Sequence, residues 1–216
     1  MACVLNIAAV ALVVIAAHNR CSAYAEDSVA ELCNAWHELW KEKERLWTLY
    51  TDDEIFGKCH QQKRENITNS YVMLNTSEII GRTKVSTLLK WSFMNNDSMV
   101  NFVKSLYRDG EQVQVLLYQE ADGSCAVATY QLWYYYDEAG KNKYDSSKTE
   151  PWETCRNITA GNYTHACLSR PSYVLYVDDD HKDTVPPKCK DEYDNRRDKI
   201  HRPHDYNIYT EDCKTY

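Results

Sequence analysis

The chain has 216 residues and a formal net charge of −7 at pH 7, with 44% hydrophobic and 26% charged residues. A chain of this length most often forms one domain, and its apolar content is sufficient for a buried core. The negative charge disfavours nucleic acids and anionic membranes as partners, since both present negatively charged surfaces.

The N-terminal segment has the features of a secretory signal peptide. Val4 to Ala17 is an apolar run interrupted only by Asn6, and it is too short to span a bilayer. Ala23-Tyr24-Ala25 has the form of a signal-peptidase site. We therefore expect residues 1–25 to be removed and residues 26–216 to form a single domain of a secreted, extracellular protein.

Residues 28 to 43 are predicted to form an amphipathic helix. Apolar side chains recur there at intervals of three and four, at Val29, Leu32, Cys33, Trp36 and Trp40. This spacing places them on one face, so the helix is expected to pack against a core.

The sequence beyond residue 56 is typical of β-strands. Apolar and polar residues alternate from Val85 to Phe93 and again from Gln112 to Leu117, and residues 125–136 are rich in strand-forming side chains. Asp122-Gly123 indicates a hairpin turn, because glycine accepts the positive φ of a tight turn.

The C-terminal third of the sequence continues this texture with interruptions. Short strands are predicted at residues 173–177 and 206–209, and residues 137–153 are expected to form a polar loop. Residues 190–205 are highly charged and predict a solvated helix or loop. Short strands at regular spacing indicate a β-sandwich or a β-barrel.

The cysteine count indicates disulfides. Seven cysteines follow the expected signal peptide, which in an oxidising compartment suggests three bridges and one odd thiol. No pair has the C-x-x-C spacing of zinc ribbons or redox sites. The seven are Cys33, Cys59, Cys125, Cys155, Cys167, Cys189 and Cys213.

Five Asn-x-Ser/Thr sequons also fit secretion, and each one that is used must face solvent. They begin at Asn66, Asn75, Asn96, Asn157 and Asn162.

Enzyme motifs are scarce in this sequence. It contains no G-x-S-x-G, no H-E-x-x-H and no phosphate-binding glycine loop. His201 and His204 are candidate metal ligands, but a solvated histidine pair is the simpler interpretation. The sequence therefore predicts a protein that is not an enzyme and has neither a cofactor nor a metal site.

A spaced set of residues in the C-terminal half carries a family resemblance. Cys155-Arg156-Asn157 is followed by 16 residues, Val174-Leu175-Tyr176, 12 residues and Cys189. This arrangement resembles the pattern C-D-[VIL], E-L-[WY], C of the secreted salivary lipocalins of ticks, of the histamine-binding type. The spacing is kept, whereas Arg156 and Val174 depart from the family's Asp and Glu.

Scattered features outside that set strengthen the resemblance. Asn34-Ala35-Trp36 is similar to the family's Asp-Ala-Trp in the N-terminal helix, and Tyr50 to Cys59 matches a segment that enters the first disulfide. Val185-Pro186 just before Cys189 also matches, as does a terminal cysteine, Cys213. Together the similar positions run from about residue 28 to residue 213.

The resemblance implies a mainly β fold, an eight-stranded antiparallel lipocalin barrel with an N-terminal helix, a C-terminal helix and disulfide bonds. The family's two bridges would correspond to Cys59–Cys213 and Cys155–Cys189. The connections that carry Cys125 and Cys167 would then emerge at the same end of an up-and-down barrel. A third bridge between these two is therefore expected, which leaves Cys33 unpaired.

The same resemblance implies a barrel that sequesters a small host mediator, histamine or serotonin by default, and helps evade host defence. Such amines are held by inward carboxylates and aromatic faces. Asp53 to Gly57 is similar to the family's Asp-Pro-Val-Trp-Gly, whose Asp and Trp line the cavity. Asp53, Phe56, Tyr176 and Trp36 are therefore candidate ligand contacts.

Arg156 and Val174 complicate the expectation of an amine ligand. If both faced inward, the loss of two carboxylates and the gain of a guanidinium would weaken cation binding. Arg156 either points to solvent or faces the cavity. An outward, glycosylated Asn157 would favour the second case, because neighbours on a strand point to opposite faces.

Two alternative functions follow from these departures. An inward Arg156 would suit the carboxylate of a lipid mediator such as a leukotriene or another fatty acid. In the other alternative the barrel is only a scaffold, and its outer surface binds a host protein.

Overall fold

A computed structural model describes the chain from Asn34 onward, with gaps. The expected signal peptide, Cys33, the Asn96 sequon and the His201/His204 pair lie outside the described residues. These are 34–94, 97–104, 109–136, 152–160, 162–199 and 205–215.

The described residues form two α-helices, a series of β-strands and a short 3₁₀ helix. In chain order they are α1 (Ala35–Glu42), β1 (Arg45–Thr51), β2 (Lys58–Ile67), β3 (Tyr71–Ile80), β4 (Thr83–Met94), β5 (Ser98–Lys104), β6 (Asp109–Gln119), β7 (Cys125–Tyr136), β8 (Trp152–Ala160), β9 (Tyr163–Ser169), β10 (Ser172–Val177), α2 (Pro187–Asp198), β11 (Tyr206–Asn207) and the 3₁₀ helix Glu211–Thr215.

Eight of these strands close into an antiparallel barrel. Strands β1 to β7 pair in sequence, and β10 pairs with both β7 and β1, which completes the ring. The β8–β9 hairpin lies outside this ring, because β9 joins only the far end of β7, at Trp133–Tyr136. The prediction of an eight-stranded antiparallel barrel with a helix towards each end of the domain is confirmed.

The barrel interior follows the alternation seen in the sequence. On β4, Leu89, Trp91 and Phe93 pack against the interior core, whereas Leu88 and Lys90 are exposed. Gly123 has a φ of 68°, which is the left-handed conformation expected of the Asp122-Gly123 turn. Both predictions from local pattern are confirmed.

Helix α1 begins at Ala35, and residues 28–33 of the predicted helix lie outside the described part of the chain. Asn34 is in an extended conformation and caps the helix, because its side chain accepts a hydrogen bond from the backbone N–H of His37 at 3.1 Å. The same side chain donates to the carbonyls of Met94 and Ser98, at 2.6 and 2.8 Å. These bonds join the start of α1 to the end of β4 and the start of β5. The two tryptophans of the helix, Trp36 and Trp40, are fully buried.

Three disulfides join cysteines of the described residues, and the expected bridge Cys59–Cys213 is one of them. The other two expected pairings are wrong: Cys125 is bonded to Cys189, and Cys155 to Cys167.

The positions of β8 and α2 explain the corrected pairings. Cys155 and Cys167 are directly opposite each other in the β8–β9 hairpin, with their Cα atoms 4.1 Å apart. Cys125 begins β7 opposite Val177 at the end of β10, and α2 packs over both strands. This packing brings Cys189, in the first turn of α2, to Cys125.

The predicted charged segment 190–205 is helical in its first part, since α2 extends to Asp198. Of the predicted strand 206–209, only Tyr206–Asn207 pairs, with β1. Within the described part of the chain, neither helix has the length and apolarity needed to cross a membrane.

Candidate ligand-binding site

A cavity of about 230 Å³ lies inside the barrel, towards the end where the β1–β2 loop is found. Its walls combine aromatic, aliphatic and polar side chains, most of them on β2, β3 and β4. They are Ile55, Phe56, His60, Gln62, Thr76, Glu78, Val85, Thr87, Leu89, Trp91, Gln112 and Tyr130.

The strand register arranges part of this wall in rows. Gln62 is directly opposite Thr76, and one row nearer the β3–β4 turn Glu78 is opposite Val85. Because side chains alternate between the two faces of a strand, residues two apart on β3 project to the same side. Glu78 and Thr76 therefore line the cavity one above the other.

The β1–β2 loop, residues 52–57, carries an aromatic side chain into the cavity. The ring of Phe56 lies 4.2 Å from that of His60 and meets Tyr130 edge-on at 5.3 Å, measured between ring centroids. The loop is anchored to β10, where the carboxylate of Asp52 accepts a hydrogen bond from the backbone N–H of Tyr173 at 2.7 Å. Phe56 thus contacts two separate strands of the barrel, β2 through His60 and β7 through Tyr130.

The loop is also anchored to the cavity wall itself. The backbone N–H of Gly57 donates to Glu78 Oε2 at 2.6 Å. A Cβ atom at position 57 would lie only 2.7 Å from the carbonyl oxygen of Ile79. This close approach requires a glycine at position 57.

The charge of the cavity comes from Glu78. Burial lowers the pKa of His60 to about 3, so this imidazole is neutral near pH 7, with Nδ1 2.7 Å from Thr48 Oγ1. Burial also raises the pKa of Tyr130, which keeps its phenol neutral. Among the described residues that line the cavity, Glu78 is the one with a formal charge at neutral pH, and that charge is negative.

Several polar atoms of the wall have no hydrogen-bond partner among the described residues. They are Gln62 Oε1, Thr76 Oγ1 and the indole Nε1 of Trp91. Buried polar groups are nearly always hydrogen-bonded to protein or to water, so these three atoms are available to pair with a polar ligand or with water in the cavity.

The structure places the predicted ligand contacts at three depths. Phe56 lines the cavity. Asp53 is half-buried beside it, where its Oδ2 accepts a hydrogen bond from Ser172 Oγ at 3.3 Å, and it does not line the wall. Val174, Tyr176 and Trp36, the last of these on α1, are fully buried in the hydrophobic core.

Tyr176 and Trp36 contact each other in this core. Their rings meet edge-on with centroids 5.9 Å apart, and the Tyr176 hydroxyl donates to Gln114 Oε1 at 3.1 Å. Burial raises the pKa of Tyr176, so its phenol stays protonated.

The interpretation that Arg156 faces the cavity is wrong. Arg156 is exposed on β8, and its guanidinium lies over the ring of Trp133 at 5.9 Å. Asn157 is exposed as well, because β8 lies beyond the closed ring and the neighbouring residues 155–157 are exposed on both faces of the strand. The reasoning from strand alternation does not hold for such a strand, and the lipid alternative loses its proposed anchor.

The sequons differ in exposure. Asn66, Asn157 and Asn162 are exposed, whereas Asn75 is half-buried and its Oδ1 accepts a hydrogen bond from Ser86 Oγ at 2.6 Å. Glycosylation at these positions remains a prediction.

Glu78, His60, Gln62 and Thr76 are the site residues that sequence reasoning missed. The available signal was the period of two along β3, where Thr76 and Glu78 continue the inward series begun by the core residues Val72 and Leu74. Polar residues at the end of such a series indicate a cavity rather than a dry core.

A closed eight-stranded barrel with a partly polar cavity defines a protein of the lipocalin type in fold. The chain is similar to the protein in the crystal structure of the AM182 serotonin complex, with a TM-score of 0.52 and 10% sequence identity over 88% of this chain and 97% of that chain. At this identity the likeness concerns the fold. No protein-family model and no curated protein matches the sequence.

Proposed function

We propose that this protein binds a small organic amine in its barrel, with the ammonium group of the ligand at Glu78. The observation that carries the proposal is the charge of the cavity, in which Glu78 supplies the one carboxylate among the described residues of the wall and the others are neutral. An ammonium group gains both from such a carboxylate and from the faces of neighbouring aromatic rings. Phe56 and Tyr130 supply those faces.

The geometry of Glu78 supports this role. Its Oε2 accepts the backbone N–H of Gly57, which fixes the orientation of the carboxylate. A carboxylate has about four acceptor positions on its two oxygens, so this bond leaves capacity for an ammonium group.

The size of the cavity also supports a small ligand. Pockets for drug-sized molecules range from roughly 300 to 1,000 Å³, and the cavity here is about 230 Å³. A long-chain fatty acid would need more room and a cationic partner, and Arg156 lies outside the barrel.

The biological role we propose is that of a secreted lipocalin that sequesters a host inflammatory amine, histamine or serotonin, and thereby helps evade host defence. The resemblance to tick salivary lipocalins supports this role, as does the similarity in fold to AM182, whose crystal structure contains serotonin. The three disulfides fit an oxidising compartment.

Titration calorimetry with histamine, serotonin and a fatty acid tests the proposal. Glu78→Gln keeps the shape of the side chain and an acceptor for Gly57 but removes the charge, so amine affinity should fall at least tenfold. Glu65→Gln, an exposed position on β2, is the matched control and should bind amines like the parent. Undiminished amine binding by Glu78→Gln would contradict the proposal, as would a parent protein that binds only the fatty acid.

A further inference from the structure

We infer that Gln62 and Thr76 form a second polar anchor in the cavity, which selects amines that carry a hydroxyl group at the end remote from the ammonium. This inference rests on the proposed function and specifies the class of amine. The ligand class is a hydroxylated arylalkylamine.

The two anchor residues are neighbours across the β2–β3 pair. Gln62 and Thr76 are directly opposite in the register, so their side chains project side by side from the wall. The Gln62 side chain is almost fully buried, at 2% exposure. Neither Gln62 Oε1 nor Thr76 Oγ1 has a hydrogen-bond partner among the described residues.

The chemistry of the pair fits a hydroxyl group. Gln62 Oε1 is an acceptor, and the Thr76 hydroxyl both donates and accepts. A ligand hydroxyl donates one proton and accepts through its lone pairs, so it can satisfy both atoms at once. An aliphatic or unsubstituted aromatic ligand would leave them unpaired, which is costly in a buried site.

The spacing between the two anchors fits an aromatic amine. Thr76 and Glu78 are two residues apart on β3, which separates their Cα atoms by about 7 Å along the strand. An aromatic ring and a short alkyl chain span a comparable distance between a ring hydroxyl and an ammonium group. Phe56 on the loop and Trp91 on β4 give the cavity aromatic walls, against which the aromatic ring of the ligand can pack.

The experiment compares phenethylamine with tyramine, which differ only in a ring hydroxyl. We expect the parent protein to bind tyramine at least tenfold more tightly, because sites built to pair a hydroxyl discriminate strongly against ligands that lack it. Gln62→Leu and Thr76→Val should each reduce this preference to about threefold or less. Gln61→Leu is the control, since Gln61 is the next residue on β2 and projects from the opposite face.

The outcomes separate this inference from the function on which it rests. Equal binding of both amines by the parent would overturn the second anchor, because water would then satisfy the two groups, while leaving amine binding intact. A hydroxyl preference that survives in both Gln62→Leu and Thr76→Val would also overturn it. If the parent binds neither amine, the proposed function fails and the inference fails with it.

Discussion

Glu78 and Gly57 are joined by a hydrogen bond of 2.6 Å between the carboxylate Oε2 and the backbone N–H. The carboxylate that gives the cavity its charge therefore also holds the loop that carries Phe56. Ligand affinity and loop position depend on the same side chain, so changes on either side of this bond should affect binding.

Replacing Gly57 by alanine should reduce amine affinity by about tenfold, equivalent to about 1.4 kcal/mol. The new Cβ atom would lie 2.7 Å from the Ile79 carbonyl oxygen and 3.1 Å from Glu78 Oε2, so the loop must move away from the carboxylate. Calorimetric titration measures the change. Gly81→Asn is a suitable control because that turn glycine has open space around it and asparagine tolerates its φ of 65°. Equal losses in both variants would argue against a specific role for the Gly57–Glu78 bond.

The free energy of unfolding should fall as the pH is lowered from 7 to 5. An exposed histidine takes up a proton in this range, whereas buried His60 does not. The pKa of His60 is about 3 in the folded protein, below its ordinary value of 6.5. The unfolded chain therefore binds more protons between these values, and folding loses about 2 kcal/mol of stability from pH 7 to pH 5.

Urea unfolding of the parent and of His60→Gln at both pH values measures this contribution. The variant should lose less stability on acidification than the parent, whatever its absolute stability. The same pH dependence in the two proteins would show that His60 is not buried in its neutral form.

The three disulfides should contribute unequally to stability. Cys59–Cys213 closes a loop with a sequence separation of 154, whereas Cys155–Cys167 closes one of 12 within a peripheral hairpin. The chain-entropy model then predicts a larger loss for Cys59→Ser with Cys213→Ser, about 4–5 kcal/mol, than for Cys155→Ser with Cys167→Ser. Thermal unfolding under non-reducing conditions compares the two double variants. A hairpin variant with the lower midpoint would contradict this order.

Introducing the Asp and Glu of the tick-lipocalin pattern at positions 156 and 174 should not create an amine site. Arg156→Asp changes an exposed position on β8 and should leave amine affinity within about twofold of the parent. Val174→Glu places a carboxylate without a partner in a fully buried position, and it should destabilise the fold by several kcal/mol. Titration of the first variant and urea unfolding of the second test the two expectations. A stable Val174→Glu protein with increased histamine affinity would show that the amine site extends to β10.

Local pattern in the sequence was sufficient for β4, β6, β7 and β10 and for the main turn, whereas β1–β3, β5, β8 and β9 were not individually predicted. The alternation along β4 and the Asp122-Gly123 turn both depend on interactions between near neighbours in the chain, and each is found where it was predicted. The bridge Cys59–Cys213 and the barrel itself came from the resemblance, since nothing local specifies which distant segments meet.

Tertiary packing decided the remaining features. Cys189 meets Cys125 because α2 docks over the junction of β7 and β10, and Cys155 meets Cys167 because β8 folds back on β9 outside the ring. The same position of β8 puts Arg156 in solvent. Glu78 became the charged group of the cavity because the barrel closes around the inward face of β3, which is a consequence of the pairing of β10 with β7 and β1. Such contacts join residues far apart in the chain, so no spacing within one segment encodes them.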